Sequence, residues 1–479
     1  MIGLPNEFAP NRRAFLKRSA GGLGFLALSH LLATDSAASL PRLEVHNPLA
    51  PRSPHHPARA KSVICLFQHG GPSHMDLFDP KPELTKWDGR EYTGQALEIH
   101  STKAAGKLLG SPYKFRRHGD CGMELSELLP HTGSIADQIT LVRSMATDSI
   151  DHESALRIIH GGKFQAGRPT WGSWVVYGLG TERQDLPAYV VLADPGGLPI
   201  DGTRNWSSGW LPALYQGTQI RSEGPPVFNL ATPSDVPQAA RQNQLQLLDR
   251  LNRAHQAEHP DNTELSARIS NYEIAARMQT SVGEVMDLSR EPEHVRKLYG
   301  LDDANKATAS YARRCLMARR LVESGVRFVQ VYLSGQPWDT HNDNANRLKS
   351  LCRMTDQPSA ALVTDLAQRG LLDSTIVLWC GEFGRLPIAQ GKDGRDHNRS
   401  AFSLWIAGGG FKSGHIHGAT DDFGARSVTD VVPVYDLHAT LLHSLGLDHT
   451  KLSFPHDGRP DTLTDVPVTN ARIRHELLA

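Results

Sequence analysis

A stripe of apolar residues at helical spacing, Cys315, Leu316, Ala318, Leu321 and Val322, halts at Gly325 and passes at once into the apolar run Phe328 to Leu333. The unit recurs when Ala360 to Arg369 halts at Gly370 and gives way to Ile376 to Trp379. Glycine ends helices readily because it enters the left-handed region without a Cβ penalty. Short unbroken apolar runs mark strands buried on both faces. Helix and strand alternating in this way predict an α/β domain built on a mainly parallel sheet. Further strands are expected at Val63 to Phe67, Ile139 to Val142, Ala188 to Leu192 and Leu404 to Ala407, and helices at Glu153 to His160 and Leu437 to Leu445.

Composition narrows the partners. The 479 residues, 39% of them hydrophobic, suffice for one large core or two. Lysine and arginine number 51 and so do the acids, so no net field draws the chain to nucleic acid or to an anionic bilayer. Five scattered cysteines contain no Cys-x-x-Cys pair, which leaves histidine and carboxylate as the metal ligands on offer.

The amino terminus reads Asn11-Arg12-Arg13-Ala14-Phe15-Leu16-Lys17-Arg18 before a weakly apolar stretch, the pattern of a twin-arginine signal with a small-residue cleavage site at Ser36-Ala37-Ala38. The expectation is a signal over residues 1–38, export to the periplasm or beyond by the twin-arginine machinery, and a Pro- and His-rich tether over 39–60. The domain then spans 61–479, interrupted at about 195–310 by an insertion. That insertion is first rich in Gly, Pro and Trp, then helical over Gln242 to Ala257 and Leu265 to Met278.

Three of the strands run into acids and histidines: Gln68-His69-Gly70-Gly71-Pro72-Ser73 up to Asp76, then Asp339-Thr340-His341-Asn342-Asp343, and Glu382 to Arg385 followed by Asp396-His397. Loops at the carboxyl ends of parallel strands converge, so one composite site is expected there. In an extended segment Asp339, His341 and Asp343 share a side. Histidine with carboxylates suits zinc or manganese better than calcium, which takes oxygen ligands. A polar turn is the competing reading.

Glu382 is a ligand or base, and Arg385 an anion clamp, against a surface ion pair. Asp396 and His397 are adjacent, so a loop is needed to aim both inward. Gly70-Gly71 offers amides to an anion, His69 and Asp76 join as ligands, and Ser73 or Ser144 is a possible nucleophile. His152 or His438 transfers the leaving group's proton. His415 and His417 read as a surface turn.

Taken together these motifs resemble the domain of unknown function 1501 family. The resemblance rests on His69-Gly70-Gly71-Pro72-Ser73, Trp338-Asp339-Thr340-His341, Gly381-Glu382-Phe383-Gly384-Arg385, Gly394-Arg395-Asp396-His397 and Asp436-Leu437-His438-Ala439-Thr440. That family is similar in arrangement to the sulfatase and alkaline phosphatase superfamily. The resemblance implies a three-layer α/β/α sandwich and hydrolysis of sulfate or phosphate esters, small or polysaccharide, at a divalent metal held by His69, Asp76, Asp339, His341, Glu382, Asp396 and His397. The chain departs from the superfamily in having Gln68-His69 where acids are usual and no cysteine in a formylglycine context. The alternative is a binding or assembly protein that keeps the fold without the reaction.

Overall fold

In the computed structural model the described residues are 48–101, 104–227, 235–259 and 262–479. The twin-arginine segment and the first part of the tether lie outside them. In chain order the strands that matter are β1 (Ser62–Phe67), β2 (Ile139–Ala146), β3 (Tyr189–Leu192), β4 (Thr218–Gln219), β5 (Phe328–Tyr332), β6 (Thr375–Cys380), β7 (Gly384–Gln390), β8 (Gly394–Asn398), β9 (Phe402–Ala407), β10 (His415–His417) and β11 (Val432–Pro433). The helices are α1 (His152–Gly161), α2 (Trp171–Leu179), α3 (Gln238–Glu258), α4 (Thr263–Met286), α5 (Lys306–Glu323), α6 (Asn344–Gln368) and α7 (Val434–Ser444).

A nine-stranded sheet runs β10-β2-β9-β6-β1-β5-β3-β4, with β11 also on β2. β1 lies parallel between β5 and β6, and β9 is the strand that runs against its neighbours β2 and β6. Successive residues of a strand face opposite layers. Cys65, Phe67, Leu378 and Cys380 meet α1, α2 and α7 on one face, where they line an interior cavity with His160 and His438. On the other face Tyr311 of α5 bonds Gln68, and Trp379 packs on Trp338 just ahead of α6. The fold is thus a three-layer α/β/α sandwich with a mainly parallel sheet, as the helix-strand alternation predicts.

Several boundaries differ for physical reasons. The helix expected at Ala360 is the second half of the 25-residue α6, which continues through Pro358, a residue that normally breaks a helix. β10 is an edge strand, parallel to β2, where a surface turn is expected from its sequence. Residues 49–60 of the tether are laid along the domain: Arg52 N–H donates to Leu179 O at 2.9 Å and Arg59 N–H to Ser444 O at 2.9 Å. In the stretch expected to be an insertion, α3 buries none of its residues. α4 buries Met278 and Val282, and Arg320 of α5 donates to its Val285 carbonyl.

Candidate metal centre

The loop after β1 can reach the loop after β5 because Gly70 has φ +109° and Gly71 φ +76°. A Cβ on Gly70 would stand 2.7 Å from the Trp338 carbonyl carbon and closer still to Asp339 N. Gly70→Ala is therefore expected to cost roughly 3 kcal/mol, overpacking of about 1–3 kcal/mol joined by positive-φ strain. Its midpoint in a denaturant titration is the check. The opposite wall is a hairpin, β7 with β8, that pairs Arg385 with His397. At Gly394 any Cβ would run into the carbonyl of His341, so this glycine lets the hairpin close on the loop after β5.

Three imidazoles converge on one carboxylate oxygen. Asp339 Oδ1 lies 2.9 Å from His341 Nε2, 3.2 Å from His397 Nε2 and 3.4 Å from His152 Nε2. The two nitrogens of His341 and His397 are themselves 3.0 Å apart. Each ring is held from behind through Nδ1. His397 Nδ1 is 2.8 Å from the Ile150 carbonyl, His341 Nδ1 bonds Gln390 Oε1, and His152 Nδ1 is 2.7 Å from Glu382 Oε1. A carbonyl or carboxylate only accepts, so each Nδ1 carries the proton. The Nε2 atoms of His341 and His397 then face each other and a carboxylate. A divalent cation suits that contact, and an imidazole whose far nitrogen is tied to a carbonyl or carboxylate is the usual form of a metal-ligating histidine.

The electrostatics agree. Burial lowers the His397 pKa to about 4, so the ring is neutral near pH 7. Asp339 is held far below the carboxylate range by the three imidazoles and Arg385, against the opposing effect of burial. His152 differs: burial lowers its pKa, but Asp339 and Glu382 carry it up to about 9. With its Nε2 buried and facing Asp339 Oδ1 at 3.4 Å, it can hold a proton at the site or give Nε2 to an ion. The side chain of His341 is 30% exposed whereas that of His397 is 2% exposed, so the group opens to solvent on the His341 side. An open position is the feature of catalytic metal sites as opposed to closed structural ones.

Not every candidate gathers here. Asp76, fully buried, spends its oxygens on Arg395 at 2.8 and 3.1 Å, on Ser73 Oγ at 2.6 Å and on Asn344 Nδ2 at 3.0 Å. That leaves Ser73 a donor to Asp76. Ser144 donates to the Asp430 carbonyl at 2.7 Å, from within β2. His438 bonds the Ile159 carbonyl at 2.9 Å inside the core. Arg385 is fully buried and donates to the carbonyls of Gly70, Gly71 and Arg395 as well as to Asp339, so its guanidinium shapes the loop and has no fork free for an anion. The Gly70 amide donates to Glu382 at 2.9 Å, not outward. Asp343 starts α6 in the left-handed region, outside the group.

Asp396 and His397 lie on strand β8, not in a loop. The carboxylate of Asp396 accepts from the His100 and Ser101 amides at 2.9 and 2.8 Å while His397 enters the cluster. That clamp brings the exposed His100 ring onto His397 at a centroid distance of 4.5 Å. Nothing in the polar stretch around His100 marks it in sequence, nor are the Ile150 carbonyl and Gln390 visible there.

His69 is buried with both ring nitrogens unpartnered, beside Phe67 and Tyr332. Burial lowers its pKa to about 4 although Glu382 opposes the shift. The unfolded chain takes up a proton near pH 6.5 that the folded one refuses until about pH 4. The stability this residue contributes is thus present above pH 6.5 and lost as pH falls through 4, by about 3 kcal/mol at roughly 1.4 kcal/mol per unit. His69→Phe is expected to flatten that acid limb in denaturant titrations at pH 4.5 and 7.

A family model described as a protein of unknown function, DUF1501, matches residues 60–476. No curated protein matches the chain. Among solved structures it matches a sulfatase from Pseudoalteromonas sp. at 13% identity, over 81% of this chain and 68% of that one, with a TM-score of 0.35. A phosphonate monoester hydrolase from Silicibacter pomeroyi matches at 10% identity over 88% and 76%, TM-score 0.37. The lipoteichoic acid synthase of Listeria monocytogenes matches at 9% identity over 84% and 76%, TM-score 0.35.

Proposed function

The chain belongs to the DUF1501 family of proteins of unknown function, and from the geometry of its site we propose that it is an exported, metal-dependent hydrolase of sulfate or phosphate esters. One observation carries this reading: the Nε2 atoms of His341 and His397 meet Asp339 Oδ1 within 3.2 Å, each ring locked from behind. The donor set, imidazole nitrogens with one carboxylate, fits zinc or manganese better than calcium. Asp339, His341 and His397 would hold the ion, with His152 as a fourth donor or the adjacent acid. A divalent ion supplies Lewis acidity there, polarising an ester oxygen and acidifying water.

The chain's own groups do the rest. Glu382 holds Nδ1–H of His152 at 2.7 Å and so points its Nε2 at the centre, where the ring, kept protonated by Asp339 and Glu382, can give a proton to the leaving group. Asp396 keeps β8 and the segment at His100 together at the mouth. Ser73 and Ser144 are engaged elsewhere, which favours water as the nucleophile. Charge favours an anionic substrate: Asp339 and Glu382 do not offset Arg385, a divalent ion and protonated His152 together, so the centre stays positive. Small or polysaccharide esters both suit an open mouth.

Export rests on Arg12-Arg13 and the apolar stretch after them, the signature of the twin-arginine route to the periplasm or beyond. No helix of the described residues is long and apolar enough to cross a membrane. Metal analysis of the protein purified after its own export, with a screen of aryl sulfates and phosphates, tests the proposal. One tightly held ion per chain and metal-dependent turnover are expected; a metal-free protein would end it. A binding or assembly protein is the second reading, favoured by the serines and Arg385 being committed to structural bonds. It predicts a bound ion without turnover of any ester.

A further inference from the structure

The last turn of α3 carries a second set of donors, remote in sequence from the site above. His255, Glu258 and His259 lie at i, i+3 and i+4, the spacing that stacks side chains on one helix face. One ligand atom from each falls within 4.8 Å of the other two, and the two rings have centroids 4.7 Å apart. All three are exposed. Among the described residues none of the three side chains has a hydrogen-bond or ion-pair partner, whereas Asp249 and Arg253 on the same helix pair at 2.9 Å. The donors are free, adjacent and of the right chemistry.

We propose that His255, Glu258 and His259 form a surface binding site for a divalent transition metal such as zinc, at the carboxyl end of α3. Two imidazoles and a carboxylate suit zinc, nickel or copper over magnesium or calcium. The position adds to this, because the unpaired carbonyls of a helix's last turn carry partial negative charge and favour a cation. His-x-x-Glu-His on a helix also serves in zinc peptidases. Here the side chains project from a helix that buries none of its residues, so the role assigned to them is binding. The bound ion ties the helix's final residue to its cap, His259, and braces the end of α3.

Zinc titration of the full chain by calorimetry distinguishes this site from the first. Wild-type protein is expected to take up one more equivalent than H255A/H259A, and Glu258→Gln to weaken that equivalent by about tenfold or more, on the scale of losses seen even for partners behind the ligands. Asp339→Ala should leave this equivalent in place, so failure at either site is visible without the other. All four residues changed at α3 or tested against it are read beside far-ultraviolet circular dichroism, which the exposed substitutions should not alter. Equal stoichiometry in wild type and H255A/H259A overturns the proposal, and unchanged affinity in Glu258→Gln overturns the three-donor geometry.

Discussion

Asp339→Ala is expected to release the metal and lower ester turnover by about a thousandfold or more, the equivalent of about 4 kcal/mol of transition-state stabilisation. The expectation follows from the carboxylate's position. His341, His397 and His152 all aim Nε2 at its Oδ1, and no other acid among the described residues takes that place: Glu382 faces Nδ1 of His152 and the Gly70 amide, and Asp396 faces backbone amides. Without Asp339 three imidazole rings surround a divalent charge with no carboxylate among them to offset it. Asp339→Asn keeps the shape and the bond from Gln336 Nε2, now 3.1 Å from Oδ2, yet removes the charge. It should lose most of the affinity too, which separates charge from packing. Metal content and turnover are measured together with the unfolding midpoint, because Arg385 loses its charged partner in both variants. Retained metal in either folded variant would exclude Asp339 as the central ligand.

Asp76→Ala should do the opposite, unfolding the protein readily without touching the metal. Asp76 and Arg395 are both fully buried, joined by two contacts at 2.8 and 3.1 Å, and Arg395 holds the carboxyl below its usual range although burial alone would raise it. Removing one partner of a buried pair strands the other charge, at a cost of about 3–5 kcal/mol. Ser73 and Asn344 lose an acceptor as well. Chemical denaturation is the measure of the loss. Metal per folded chain at low temperature should match wild type; a fall would tie Asp76 to the metal centre after all.

The two residues show how far sequence reaches. In the chain both are acids a few residues past a strand, and local chemistry cannot rank them. The difference lies in Arg395, 319 positions from Asp76, and in three histidines drawn from three segments. Strands and helices were legible because burial on a sheet face or a helix stripe imposes a period on nearby residues. Thus β1, β5, β6 and the latter half of α6 could be read directly, while Pro358 hid the first half. The β7–β8 hairpin was not legible as strands, since β8 is polar, β7 is interrupted by Pro387, and both start at a glycine and are kept extended by pairing with each other.

By itself the sequence determined the class of fold, the parallel core, and the presence of histidine and carboxylate at strand ends, because these depend on residue types repeated at short range. Tertiary structure alone decided which of them share a centre. It turned Asp396 to backbone amides and His397 to the cluster, consumed Arg385 on carbonyls, and placed His152 against Glu382. The physical reason is that a ligand is made by where its lone pair points. That direction is set by the group behind it, here the Ile150 carbonyl or Gln390, which no local pattern announces.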